Sequence, residues 1–134
     1  MQVVDLDGKD VKWKVKGKIV RQDNRPRSLY HTQARDLLMK MFPTVQILEE
    51  VGIPVRRGNF LYLDFYLPVH NIVIEVHGEQ HYKYTPHFHG SRIGFARSLS
   101  NDRDKEEWCE INNLNLIILP YKEDENEWRK RLGI

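Results

Sequence analysis

The chain has 134 residues, enough for one domain with a modest core, and its 40% hydrophobic and 30% charged residues exclude a wholly disordered polymer. No apolar run approaches the roughly 18 residues of a membrane span, and the polar, charged stretch from Met1 to Lys16 is unlike a signal peptide, so a cytosolic protein with no membrane partner is the default expectation. The single cysteine, Cys109, excludes an internal disulfide and a zinc site built from several cysteines, and reads as a small buried hydrophobe.

Net charge is only +2, but residues 1–27 hold eight Lys or Arg against four Asp, so a basic segment precedes a mildly acidic body. That segment reads as an N-terminal hairpin arm, with 28–134 as the core domain. Asp7-Gly8 marks the turn, and beyond it Val11, Trp13 and Val15 alternate with Lys12, Lys14 and Lys16. A period of two puts the apolar residues on one face and the lysines on the other. Arg21, Arg25 and Arg27 follow in a polar connector. A polyanion partner is one reading of this charge, and a solvated surface is the other.

Ser28 is placed as the N-cap of a helix running to about Phe42, with Ala34, Leu37, Leu38 and Met41 as its apolar stripe and Pro43 as its stop. Val45 to Glu49 predicts a short strand, and Gly52, Pro54 and Arg56-Arg57-Gly58-Asn59 predict turns. Phe60–Leu67 and Ile72–His77 predict two strands joined by a Pro68–Asn71 turn. The stretch from Tyr82 to about Ser91 reads as a loop. A long helix follows from about Ile93 to Asn112, broken near Ser100-Asn101. Leu114–Leu119 predicts a buried strand, and Asp124–Leu132 a short helix, acidic at its start and basic at its end. Trp13, Trp108 and Trp128 are expected to be packing residues. The order predicts an α/β or α+β fold with a mixed sheet flanked by helices.

Asp64 lies among Leu63, Phe65 and Leu67, and Glu75 among Ile72, Ile74 and Val76. A carboxylate inside an apolar strand costs several kcal/mol unless it is paired or binds a cation. The short turn makes the two strands antiparallel neighbours, so the pair can converge on one face. Two carboxylates with water and a phosphate oxygen suit Mg²⁺ or Mn²⁺, which prefer hard oxygen ligands. His77 and His81 follow at the strand end, where a group titrating near neutrality can move protons. With His87 and His89 they also permit a zinc reading, although the spacing is irregular.

The strings Leu63-Asp64-Phe65-Tyr66-Leu67-Pro68 and Ile74-Glu75-Val76-His77-Gly78-Glu79-Gln80-His81-Tyr82 resemble the PD-(D/E)XK nuclease superfamily. Asn101-Asp102-Arg103-Asp104-Lys105, Trp108-Cys109 and the run to Tyr121 extend the likeness, which covers about 28–121 and is nearest to the Vsr-like, homing-type or phage-borne branch. The resemblance implies a restriction-endonuclease-like core, a DNA endonuclease activity dependent on Mg²⁺ or Mn²⁺, and a bacterial or phage-infected cell as its setting. It implies metal binding by Asp64, Glu75 and the Val76 backbone carbonyl. Catalytic roles fall to Asp64, Glu75, His77, Gln80, His81, Asp102 and Lys105. Lys12, Lys14, Lys16, Arg25, Arg27, Arg56 and Arg57 would contact DNA, with Arg92 and Arg97 flanking the loop.

Two departures from the family pattern stand out. Gln33 is aligned with a first-helix position where the family usually offers Glu to the metal, and no lysine follows Glu75 at the usual spacing. A degenerate, non-cutting DNA-binding module and an RNA-processing nuclease are the rival readings. Cutting both strands would call for two sites and hence a homodimer, whereas a nick needs one copy; the sequence leaves both open.

Overall fold

A computed structural model describes residues 1–23, 25–85 and 89–133, so the expected role of His87 lies outside the described residues. The fold is mixed α/β. A two-stranded hairpin, β1 (Gln2–Val4) and β2 (Asp10–Lys12), is followed by β3 (Lys18–Ile19), α1 (Leu29–Met41), β4 (Leu48–Arg56), β5 (Asn59–Leu67), β6 (Ile72–His77), α2 (Arg92–Ile111), β7 (Asn115–Pro120) and α3 (Glu125–Arg131). Strands β3 to β7 form one sheet in chain order, antiparallel except for the β6–β7 pair.

The sheet is the middle of three layers. On one face Ala34, Leu37 and Leu38 of α1 and Trp128 of α3 pack on Phe65, Leu67, Ile74, Val76 and Leu119. On the other face Trp108 and Cys109 of α2 join Val3 and Trp13 of the N-terminal segment over Val51, Leu63, Tyr66 and Val73. Helices α1 and α2 therefore lie on opposite faces of the sheet. The N-terminal segment is fastened to the second face. Trp13 meets Trp108 edge-on at 5.1 Å, its Nε1 donates to the Gly52 carbonyl, and the Asn112 amide holds both backbone groups of Val4.

The expected parity of this segment is observed: Lys12, Lys14 and Lys16 are exposed while Trp13 is buried. The hairpin turn is longer than two residues. Asp5 Oδ1 accepts from the amides of Asp7 and Lys9, and Gly8 takes the left-handed conformation that glycine tolerates. All three tryptophans are buried, and Cys109 is buried with its thiol pushed up to about 12 by burial.

The fold departs from expectation in three places. The short strand at Val45–Glu49 is a nine-residue strand beginning at Leu48, and it runs through Gly52 and Pro54, which were expected to turn the chain. Pro54 is tolerated because the Gly52 carbonyl, of the same parity, points away from β5 to Trp13, so the N–H that proline lacks falls on that side too. Helix α2 runs unbroken through Ser100-Asn101; Ser91 caps it, and the side chains packed beneath its later turns outweigh the weak propensity of those two residues. Finally, strict alternation fails at Asp64: Leu63 joins one core layer and Phe65 the other, opposite Glu50, whose φ is 54°. The chain switches faces there.

Candidate active site

The pairing of β5 and β6 stops at Phe65↔Ile74, although β6 continues to pair with β7 as far as His77. Where the two strands part, carboxylates replace the missing backbone acceptors. The Asp64 N–H donates to Glu75 Oε2 at 2.7 Å, and the Val76 N–H donates to Asp64 Oδ2 at 2.8 Å. Each acid thus satisfies an amide of the other strand, which fixes both carboxylates side by side. Lys105, projecting from α2, donates its ammonium to Glu75 Oε1 at 2.8 Å.

These groups line a cavity of about 370 Å³ with Gln80, His81 and His31 on its walls. Glu75 is 2% exposed, and burial together with the neighbouring Asp64 carboxylate raises its carboxyl to about 7. Burial likewise raises Asp64, against the opposing amide of Val76 and the charge of Lys105. Lys105 is held above its ordinary value by Glu75 despite its own burial. One ammonium faces two carboxylates, so the pocket is short of positive charge. That deficit, with oxygen donors side by side, fits a hard divalent cation.

Beside the carboxylates, His81 Nδ1 lies 3.0 Å from Asp102 Oδ2, and the His77 ring stacks on His81 at 4.1 Å and 5°. Burial and the adjacent His81 lower His77 to about 4, so it is neutral near pH 7. Asp102 is held low by His81 against its own burial, the largest opposing influence. The ligand atoms of His77, His81 and Asp102 all lie within 4.8 Å of one another. Among the described residues His89 is not part of this group, and its Nδ1 accepts from the Thr85 amide. Gly78 has an ordinary φ of −77°, and a Cβ there would come within 2.7 Å of the Gln80 amide oxygen.

Asp64, Glu75, Val76, Gln80, His81 and Lys105 therefore share one cavity, and His77 and Asp102 line a smaller neighbouring one of about 80 Å³ that shares Glu75 and Lys105 with it. Gln33 does not join them. It is exposed and lines a separate depression with Asp36, Lys40 and Trp128. The α1 residues that line the cavity are Leu29, Tyr30 and His31 of its first turn; a helix turns 100° per residue, so Gln33, two positions beyond His31, is carried to another face.

His31 brings with it a group that sequence reasoning missed. Its Nε2 lies 3.0 Å from Oε2 of Glu49, a carboxylate with 0% exposure that Arg27 grips through two nitrogens at 2.6 and 2.7 Å. Burial lowers His31, outweighing the attraction of Glu49. The available signal was Glu49 itself, an acid between Leu48 and Val51, the same anomaly that singled out Asp64.

Among the expected DNA contacts, Lys12, Lys14, Lys16 and Arg57 are exposed. Arg27 is committed to Glu49, Arg25 pairs with Glu50 at 2.8 Å, and Arg56 pairs with Asp104 at 2.8 Å. The Arg25 guanidinium holds Glu50 down at about 2.

No known protein-family profile matches the chain, and no solved structure matches it. Over 67 residues, 49% of its length, it is 40% identical to a protein of Invertebrate iridescent virus 6 described as uncharacterized protein 307L. The chain spans about a third of that relative, the match covering 34% of it. No helix among the described residues is long and apolar enough to cross a membrane.

Proposed function

We propose that this chain is a divalent-metal-dependent nuclease that hydrolyses DNA phosphodiester bonds on a restriction-endonuclease-like core. The observation that carries the reading is the meeting of Asp64, Glu75 and Lys105 at the point where β5 and β6 separate. A phosphodiester hydrolase needs two oxygen ligands for a cation and a fixed positive charge near the phosphate, and these three residues supply that set. Lys105 also answers the lack of a lysine just after Glu75: the ammonium reaches the same carboxylate from α2 instead.

Asp64 and Glu75, with the Val76 carbonyl beside them, would hold Mg²⁺ or Mn²⁺, which when bound supplies Lewis-acid polarisation and a more acidic water. Lys105 offsets charge at Glu75 and positions a phosphate oxygen. His81, oriented by Asp102, accepts the proton of the attacking water. His77, neutral and stacked on it, fixes its ring. The Gln80 amide binds the substrate near Gly78. The exposed lysine row gives the non-specific, salt-sensitive part of DNA affinity. The degenerate-module reading drew its support from Gln33, which lies elsewhere.

The test is cleavage of supercoiled plasmid in Mg²⁺ and in Mn²⁺, with Asp64→Ala and Glu75→Ala alongside and a structured RNA in parallel. Nicking or linearisation by the wild type, lost in both variants, supports the reading; the nicked-to-linear ratio separates a single-copy nickase from a homodimer. Preferential cutting of the RNA moves the substrate class. Binding without cleavage in either metal gives the chain to the non-cutting class.

A further inference from the structure

His31 and its buried partner Glu49 are not used by the proposed reaction, yet His31 lines the same cavity. Two histidines line this cavity, and each is backed by a carboxylate outside it near 3.0 Å: His81 by Asp102 and His31 by Glu49. They reach it from opposite faces of the sheet. His31 belongs to α1, which packs on Phe65, Leu67 and Ile74, whereas Asp102 and Lys105 belong to α2, which packs on the other core layer. The His31 ring rests on Phe65 at 4.7 Å, its Nε2 is turned to Glu49, and Nδ1 has no protein partner among the described residues. Its side chain is 20% exposed, so solvent and substrate can reach it.

Glu49 is not explained by His31 alone, since Arg27 already satisfies both its oxygens. Adding an imidazole to a completed ion pair gains little stability, but it fixes one ring nitrogen and leaves the other directed away. Displacement at phosphorus places the entering and departing oxygens on opposite sides. With Lys105, His81 and Asp102 gathered on the α2 side, the α1 side is left for the departing oxygen; Tyr30 and His31 line it there, and His31 is the imidazole with a carboxylate behind it.

Resting on the nuclease reading, the geometry points to His31 as the general acid of phosphodiester cleavage, positioned by Glu49. A bond forms between water oxygen and phosphorus as the bond from phosphorus to the sugar oxygen breaks. His81 takes the proton lost by water. His31, charged in the reacting form with Glu49 beside Nε2 although its burial opposes that charge, gives its Nδ1 proton to the departing alkoxide, so the products are a phosphate monoester and an alcohol. Both histidines return to their starting states by proton exchange with solvent.

The experiment uses DNA oligonucleotides whose cleavage site has been mapped with the wild-type protein. Two further oligonucleotides carry sulfur in place of the 3′ or the 5′ bridging oxygen at that site. A thiolate departs without a proton, so a missing general acid is tolerated when sulfur is the departing atom. His31→Asn and His31→Gln are expected to cleave the ordinary DNA about 10²–10⁴-fold more slowly than wild type. On one sulfur substrate the deficit should fall below about tenfold, while His81→Asn stays impaired on both. An equal deficit on all three substrates overturns the assignment and makes His31 a structural residue, as does undiminished cleavage of ordinary DNA by both His31 variants. If the wild type cleaves no DNA in Mg²⁺ or Mn²⁺, the nuclease reading falls first and the role of His31 falls with it.

Discussion

Lys105 and Glu75 stand 30 positions apart along the chain and 2.8 Å apart in space. The contact joins α2 to the sheet where β5 and β6 leave their ladder, and it offsets one of two adjacent buried carboxylates. Lys105→Met keeps most of the apolar stem and deletes the charge. Removing one partner of a buried pair costs about 3–5 kcal/mol when the other must remain charged. Glu75 has an escape, since its carboxyl already lies at about 7 and would rise further without the ammonium. The variant should therefore be close to wild type in urea at pH 5.5 and weaker by about 1–3 kcal/mol at pH 8, where Glu75 must give up its proton. An equal loss at both pH values would mean that Lys105 contributes packing rather than charge.

The raised carboxyl of Glu75 makes a second prediction. A group that holds its proton more tightly in the folded chain stabilises the fold fully below its unfolded value of 4.5, and that stability is lost as pH rises through about 7. The gap is on the order of 3 kcal/mol in metal-free buffer. His77 works in the opposite direction: lowered to about 4, it favours the fold above its unfolded value of 6.5 and withdraws that support as pH falls. Because the two windows overlap, the measurement is a difference. Glu75→Gln should lose the Glu75 contribution alone, so that the gap in unfolding free energy between variant and wild type moves in favour of the variant from pH 4.5 to 8. Parallel pH profiles for the two proteins would refute the shift.

How far this site can be read from sequence depends on whether a residue contradicts its surroundings. Asp64 and Glu75 do so, as acids in apolar strands, whereas Lys105 and Asp102 come from the family resemblance. Glu49 carries the same anomaly but sits beside Glu50, and a pair of acids at the end of a run looks like a solvated turn. The nine residues of β4 were hidden because Gly52 and Pro54 are punctuation in most strands, and only the neighbour that takes the Gly52 carbonyl, Trp13, explains their tolerance. Parity predicted the lysine face correctly; it does not carry through β5, where the left-handed Glu50 lies opposite Asp64 and neighbouring side chains change sides. Gln33 and His31 are two positions apart on a helix, and a linear comparison cannot say which of them faces the sheet edge.

Cation binding gives a third prediction. A ligand that binds only the folded state stabilises it by RT ln(1 + [L]/Kd), about 2.7 kcal/mol at a hundredfold excess over Kd. Mg²⁺ or Mn²⁺ should raise the melting temperature of the wild type, EDTA should reverse the rise, and Asp64→Asn should abolish it. Protons compete for Glu75, so the apparent affinity should strengthen between pH 6 and pH 8. A rise of the same size in Asp64→Asn would place the cation elsewhere, with the His77, His81 and Asp102 group the next position to examine.

The cations of the N-terminal segment fall into two classes that a salt titration can separate. Lys12, Lys14 and Lys16 form an exposed row, whereas Arg27 has both its reach and its charge taken up by Glu49. A cation that neutralises a phosphate displaces condensed counterions, and each such contact adds roughly 0.9 to the slope of log K against log salt for duplex DNA. Replacing the three lysines by Gln should lower that slope by about 2–3 and leave the melting temperature nearly unchanged. Arg27→Ala should do the reverse: it strands a buried carboxylate and costs about 3–5 kcal/mol of stability, yet leaves the slope of the remaining folded protein intact. A slope that falls with Arg27 and not with the lysines would mean that DNA enters along the Glu49 side of the sheet and opens this ion pair on binding.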